Sequence, residues 1–373
     1  MSASDSEGRE QTLHPGAVAA VPTQQRRYPR FVLLAFAVGS FLIGLWTGLV
    51  RLGLDLPGSP SLLQYHSAFM IGGFLGTVIS LERAVALARP LAFLAPALSA
   101  IGAAALVMGG PLLAAVMFLA AGIALATNSA VVALRHPAAF TLLLLIAAGC
   151  WVAGTAAWLL DRGMPAVTGW WLLFLVLTII AERLELSRLL APPRFGAIAI
   201  VLVAALAIAG AIREEFAGPS ALLSGAALVL LTLWLVRRDI ALRTVRQQSQ
   251  TRFSAVCMLA GYFWLAAAGL LLLFAPPGSR AFAYDAVIHA IAIGFVLSMI
   301  FGHAPIILPA VTGLRLHYSR WVYGPLALLH LSVLARVAAD LAEAVELRAA
   351  SGIVTLVALA SYAGVLGWAS SRK

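Results

Sequence analysis

Long apolar runs separated by very short polar breaks recur along the whole chain, and no other feature limits its fold so tightly. A helix needs about 20 mostly apolar residues to cross a bilayer, and only helices and closed barrels satisfy their backbone groups there. Twelve such runs fall near 31–50, 62–81, 91–108, 111–134, 140–160, 167–182, 195–212, 219–236, 253–275, 284–306, 321–339 and 349–370. Gly-Pro and Arg-His-Pro breaks leave very short turns among the third to sixth. With 62% hydrophobic and 11% charged residues and a mean hydropathy of +0.98, the chain lies outside the range of soluble domains. The expected fold class is all-α: a polytopic membrane protein in which residues 29–373 form a single domain of twelve transmembrane helices.

Lys and Arg should crowd the cytoplasmic loops, which provides an independent check on the span count. With the N-terminus inside, 19 of the 25 fall on the cytoplasmic side, and only Arg51, Arg162, Arg213, Arg280, Arg336 and Arg348 fall outside. An odd number of spans would scramble that segregation, so both termini are expected in the cytoplasm. The formal charge of +10 then reflects topology and attraction to anionic headgroups, and no nucleic-acid partner is needed to explain it. The basic loop 237–252 is expected to lie solvated against such lipid. Residues 1–28 read as a disordered cytoplasmic tail, with no apolar signal-peptide core. Lysine occurs once, at Lys373, among many Arg and Ala, which suggests a GC-rich bacterial genome and hence a bacterial inner membrane. Cys150 and Cys257 lie inside spans at no metal-ligand spacing.

Ionisable side chains at membrane depth are costly and usually mark function. Four histidines qualify: His66 in the second span, His289 and His303 in the tenth, and His330 in the eleventh. His14, His136 and His317 lie in the tail or in loops and are expected to be solvated. His289 and His303 are 14 residues apart, which on a regular helix leaves them about 40° out of register and about 21 Å apart along the axis. His66 and His289 lie a similar distance into spans of the same direction, and so at one level near the outer face. Two neutral imidazoles at one level suit a haem, one nitrogen on each side of the macrocycle. Asp285, one turn before His289, could accept the other ring N–H or simply mark the helix start. Gly72, Gly73, Gly76 and Gly294 beside these histidines could clear space for a cofactor or allow close helix packing.

A second, deeper pair of His303 and His330 could bind haem or, with Met299, copper; Met70, four residues after His66, could join a copper site or simply pack. Glu82-Arg83 and Glu182-Arg183 stand at cytoplasmic helix ends. Adjacent residues do not face each other on a helix, so each is expected to pair elsewhere, across the bundle, as an interfacial anchor or a proton-input group.

The segments YHSAFMIGGFLG (65–76) and DAVIHAIAIGFVLSMIFGHAPIILPAVTG (285–313) resemble the NnrS family, twelve-span bacterial proteins linked to nitric oxide that carry haem and copper. They are similar as well to the second and tenth spans of heme-copper oxidase subunit I, which hold its low-spin haem between them. The resemblance implies that His66 and His289 face each other as haem b ligands, and it places the chain in nitric oxide response or respiratory redox chemistry. A diatomic gas and an electron-transfer partner are the implied ligands and contacts. Oxidases carry copper ligands on the sixth and seventh spans; here those spans, WLLFLVLTIIAERLELS and FGAIAIVLVAALAIAGA, contain no histidine. Oxygen reduction of the oxidase kind is therefore not expected. The competing expectation is a proton-coupled secondary transporter that uses the membrane histidines as a relay.

Overall fold

The computed structural model describes residues 28–187, 194–217 and 221–371. The expected tail, with His14, lies outside these residues. The described residues contain helices and no strand. Among the described residues, eleven helices are long and apolar enough to cross a membrane, which makes the chain a multi-pass helical membrane protein. The seventh expected span corresponds to α7 (Arg194–Ala217), of which Ile200–Ile212 counts as a shorter apolar helix.

The chain runs through α1 (Tyr28–Arg51) into a second span built of three pieces. These are a 3-10 turn (Pro60–Tyr65), a π-helical stretch (Ala68–Gly76) and α2 (Thr77–Leu87). Then follow α3 (Leu94–Val107), α4 (Pro111–Arg135), α5 (Ala139–Leu159), α6 (Met164–Ser187), α7, α8 (Ala221–Arg238), the short α9 (Ala241–Thr244) and α10 (Ser249–Phe274). The tenth span is again composite: α11 (Ala283–His289), a π-helical stretch (Ala290–Leu297) and α12 (Ser298–Thr312). The last two spans are α13 (Tyr323–Leu341) and α14 (Val345–Ser371). Pro60, Pro90 and Pro111 open helical segments, where a missing N–H costs nothing. Gly313, at φ 77°, ends α12 in the left-handed conformation that L side chains avoid.

The two π-helical stretches correct the regular-helix arithmetic. The wider turn of a π-helix lies between His289 and His303, so 100° per residue does not hold across them. Neighbouring helices pin the first stretch: Ser40 Oγ on α1 donates to Phe69 O at 2.9 Å, and Ser99 Oγ on α3 donates to Gly72 O at 2.7 Å. Proline leaves a similar vacancy in α12. Pro305 cannot donate to the carbonyl of Phe301, and Tyr362 Oη on α14 donates to that oxygen instead. The two rings also stack, with centroids 3.9 Å apart and planes 8° from parallel.

Helix contacts close a ring of six spans: α1 packs on the second span, the second on α6, α6 on the tenth, the tenth on α13, α13 on α14, and α14 on α1. α6 touches both π-helical stretches. Its outer neighbours supply much of the aromatic core, including Trp151 and Phe118, packed with Phe174 and Trp171 of α6 itself.

The candidate site in the six-helix ring

The ring encloses a cavity of ≈ 450 Å³, a volume typical of small-molecule and cofactor sites. Its walls are mostly apolar, with Leu45, Phe74, Leu172, Ile293, Val296 and Leu356 among them. His66 and His289 both line it, from the two spans that flank α6. Each imidazole is anchored through Nδ1. His66 Nδ1 donates to Gly44 O at 2.8 Å and lies 3.2 Å from Thr47 Oγ1. His289 Nδ1 donates to Asp285 O at 2.8 Å. A proton fixed on Nδ1 leaves the Nε2 lone pair as the free donor on both rings, which is the form that ligates iron or another metal.

One role shifts from the expected atom to another in the same residue. The backbone carbonyl of Asp285 holds the imidazole, because it lies one turn back along α11, while its carboxylate turns away to arginine. Arg348 Nη2 donates to Asp285 Oδ2 at 2.6 Å, and Arg336 Nη2 approaches the same oxygen at 3.6 Å. Both guanidinium groups also bond Asp340, which is 0% exposed. Arg348 further lies over the Phe282 ring, 3.4 Å from its centroid. Two arginines and two aspartates thus form a neutral network beside His289. Arg51, on α1 at the same cavity, donates to Leu63 O at 3.3 Å and has no ion pair among the described residues.

Sequence reasoning missed these arginines as site residues. The signal was present: Arg51, Arg336 and Arg348 are half of the six basic residues that break the inside bias, and all three line the cavity.

The glycines settle toward packing. A Cβ at Gly72 would meet Phe118, at Gly73 Ser40, at Gly76 Trp151 and at Gly294 Trp264, all ordinary helix neighbours. Clearance for His66 comes from α1 instead, where a Cβ on Gly48 would lie 2.9 Å from His66 Cε1. Met70 lines the cavity, but its sulfur lies 2.5 Å from where a Gly44 Cβ would stand, so it packs on α1.

The expected second pair does not assemble. His330 Nδ1 accepts from Trp264 Nε1 at 2.9 Å, and its Nε2 lies 3.3 Å from Ser298 Oγ, so both ring nitrogens are committed to neighbours. That is a polar contact between helices, and it leaves no lone pair for haem or copper. Met299 packs against α10, with its Cε 2.6 Å from where a Gly261 Cβ would stand. His303 Nδ1 donates to Met299 O at 2.7 Å. No group of three or more His, Cys, Asp or Glu able to hold a metal ion occurs among the described residues. The Glu-Arg pairs do join across the bundle, Arg83 to Glu182 at 2.7 Å.

A family model for a domain of unknown function, DUF8744, matches residues 30–371, and the chain belongs to that family. No curated protein and no solved structure matches the chain.

Proposed function

We propose that this DUF8744 member is a haem-binding membrane protein, in which His66 and His289 would hold a haem b in the six-helix cavity. One observation carries the reading: two histidines from different spans line one apolar cavity, each with Nδ1 held by a carbonyl and Nε2 left as the donor. Haem demands apolar walls for its macrocycle and positive charge for its two carboxylates. The lining leucines, Phe74 and Val296 meet the first need, and Arg51, which has no ion pair among the described residues, meets the second; Arg336 and Arg348, already paired with Asp285 and Asp340, add N–H donors without net charge. A haem held by two imidazoles supplies one-electron transfer. Gly44 O and Asp285 O fix the tautomer and aim of the ligand rings, and the apolar walls exclude water.

The role is respiratory redox chemistry or nitric oxide response, the latter on the resemblance to NnrS. We place the chain in a bacterial inner membrane with twelve spans and both termini in the cytoplasm. Arg51 and the network around Asp285 then lie at the outer face, where an electron-transfer partner would dock.

A second reading, proton-coupled transport, draws on the irregular helices that border the cavity, a feature of transporter sites. The optical spectrum of protein purified in detergent from a haem-replete host separates the two. Haem binding requires a Soret band that is lost or displaced in both His66→Ala and His289→Ala; transport requires none.

A further inference from the structure

At the end of the bundle remote from Arg51, charged side chains gather where α2, α6, α9, α10 and α12 approach one another. Most have found partners. Arg83 donates to Glu182 at 2.7 Å. Arg183 donates through Nε and Nη2 to both oxygens of Asp239, at 2.6 and 3.0 Å. Asp239 also accepts from Tyr262 Oη at 2.8 Å and from the Ala241 N–H at 2.6 Å. These pairs are neutral and complete.

Two groups remain over. Glu82, beside Arg83 on α2, forms no hydrogen bond or ion pair among the described residues. His303 stands on α12, which packs on α2. Its Nδ1 donates to Met299 O, and its Nε2 is buried without a partner. Arg183, Glu82 and Asp239 are the charges that face His303, while Glu182, Arg83, His303 and Glu185 face Glu82. A buried acceptor without a donor costs about 1–3 kcal/mol, and a half-buried carboxylate without a cation adds to that. A single proton removes both penalties, because a carboxylic O–H can donate to the bare imidazole nitrogen through one bridging water, the two side chains not being in direct hydrogen-bond contact.

We propose that Glu82 and His303 form a proton-binding site in which one proton, held by the Glu82 carboxyl, is shared with His303 Nε2. Both residues are only half-buried, so the site exchanges with the adjoining aqueous face. It stands on the two spans that carry His66 and His289, yet it does not depend on what those histidines bind.

Infrared spectroscopy of the purified full chain tests it. The wild type should show the carbonyl stretch of a protonated carboxylic acid that moves down on transfer to deuterated water. Glu82→Gln should abolish that band, and His303→Phe should move it up, because the acid loses its acceptor. No band in the wild type, a band unchanged in Glu82→Gln, or one unmoved in His303→Phe each overturns the proposal. Glu82→Gln places a neutral amide where the proposal has a neutral acid, so it should fold to the wild-type yield; failure to fold would also overturn it.

Discussion

Gly48→Ala is the most informative single change outside the histidines. The added methyl group would stand 2.9 Å from His66 Cε1 and 3.3 Å from its Nδ1, whereas ordinary contact begins at 3.4 Å. The imidazole must therefore retreat by about 0.5 Å, the difference between 3.4 and 2.9 Å. Retreat pulls Nδ1 off Gly44 O, the acceptor that sets its direction. Overpacking of this kind costs about 1–3 kcal/mol and the strained hydrogen bond about 1 kcal/mol more. At about 1.4 kcal/mol per decade, a total of about 2–4 kcal/mol weakens haem binding about 30- to 700-fold. Gly39→Ala is the matched control, on the same helix with nothing within 4 Å of its new Cβ. Both substitutions gain about 1 kcal/mol of helix propensity, so a difference between them reports the His66 contact alone. Haem titration of apoprotein, followed by absorbance, supplies the affinities. Equal affinities in the two variants would refute the reasoning.

Other changes probe the networks. Asp239→Ala strands Arg183, 3% exposed, and should cost about 3–5 kcal/mol in SDS unfolding, far more than loss of the more exposed Arg83–Glu182 bridge by Glu182→Gln. Tyr362→Phe keeps the stack on Phe301 but reopens the carbonyl left by Pro305, for about 1–3 kcal/mol; Tyr362→Ala should cost about 3–5 kcal/mol. Arg51→Gln should lower haem retention during purification while stability changes by no more than about 0.5 kcal/mol. Arg348→Gln should lower both, because it leaves Asp285 and Asp340 short of a cation.

Eleven of the twelve expected spans were legible because apolar length is a property of local sequence, and the short turns at Gly110 and His136 fell where Pro and Gly predicted them. His66 and His289 stood out because a membrane histidine needs a reason. Where reading failed, the deciding partner lay on another helix. The Asp285 carboxylate faced arginines of α13 and α14 that are distant in sequence. His330 looked free until Trp264 of α10 and Ser298 of α12 took its two nitrogens. Of the two readings open for the second-span glycines, the contacts favour helix packing, and the glycine that stands against His66 is Gly48 of α1. The π-helical stretches AFMIGGFLG and AIAIGFVL contain no polar residue, so no contrast of polar and apolar positions could reveal their wider turn.

Electron paramagnetic resonance of the oxidised protein tests the central claim most directly. With His66 and His289 both bound, the haem should give a low-spin ferric signal that converts to high spin when either residue alone is replaced by Ala. A high-spin signal in the wild type, or a low-spin signal that survives both single replacements, would contradict the assignment.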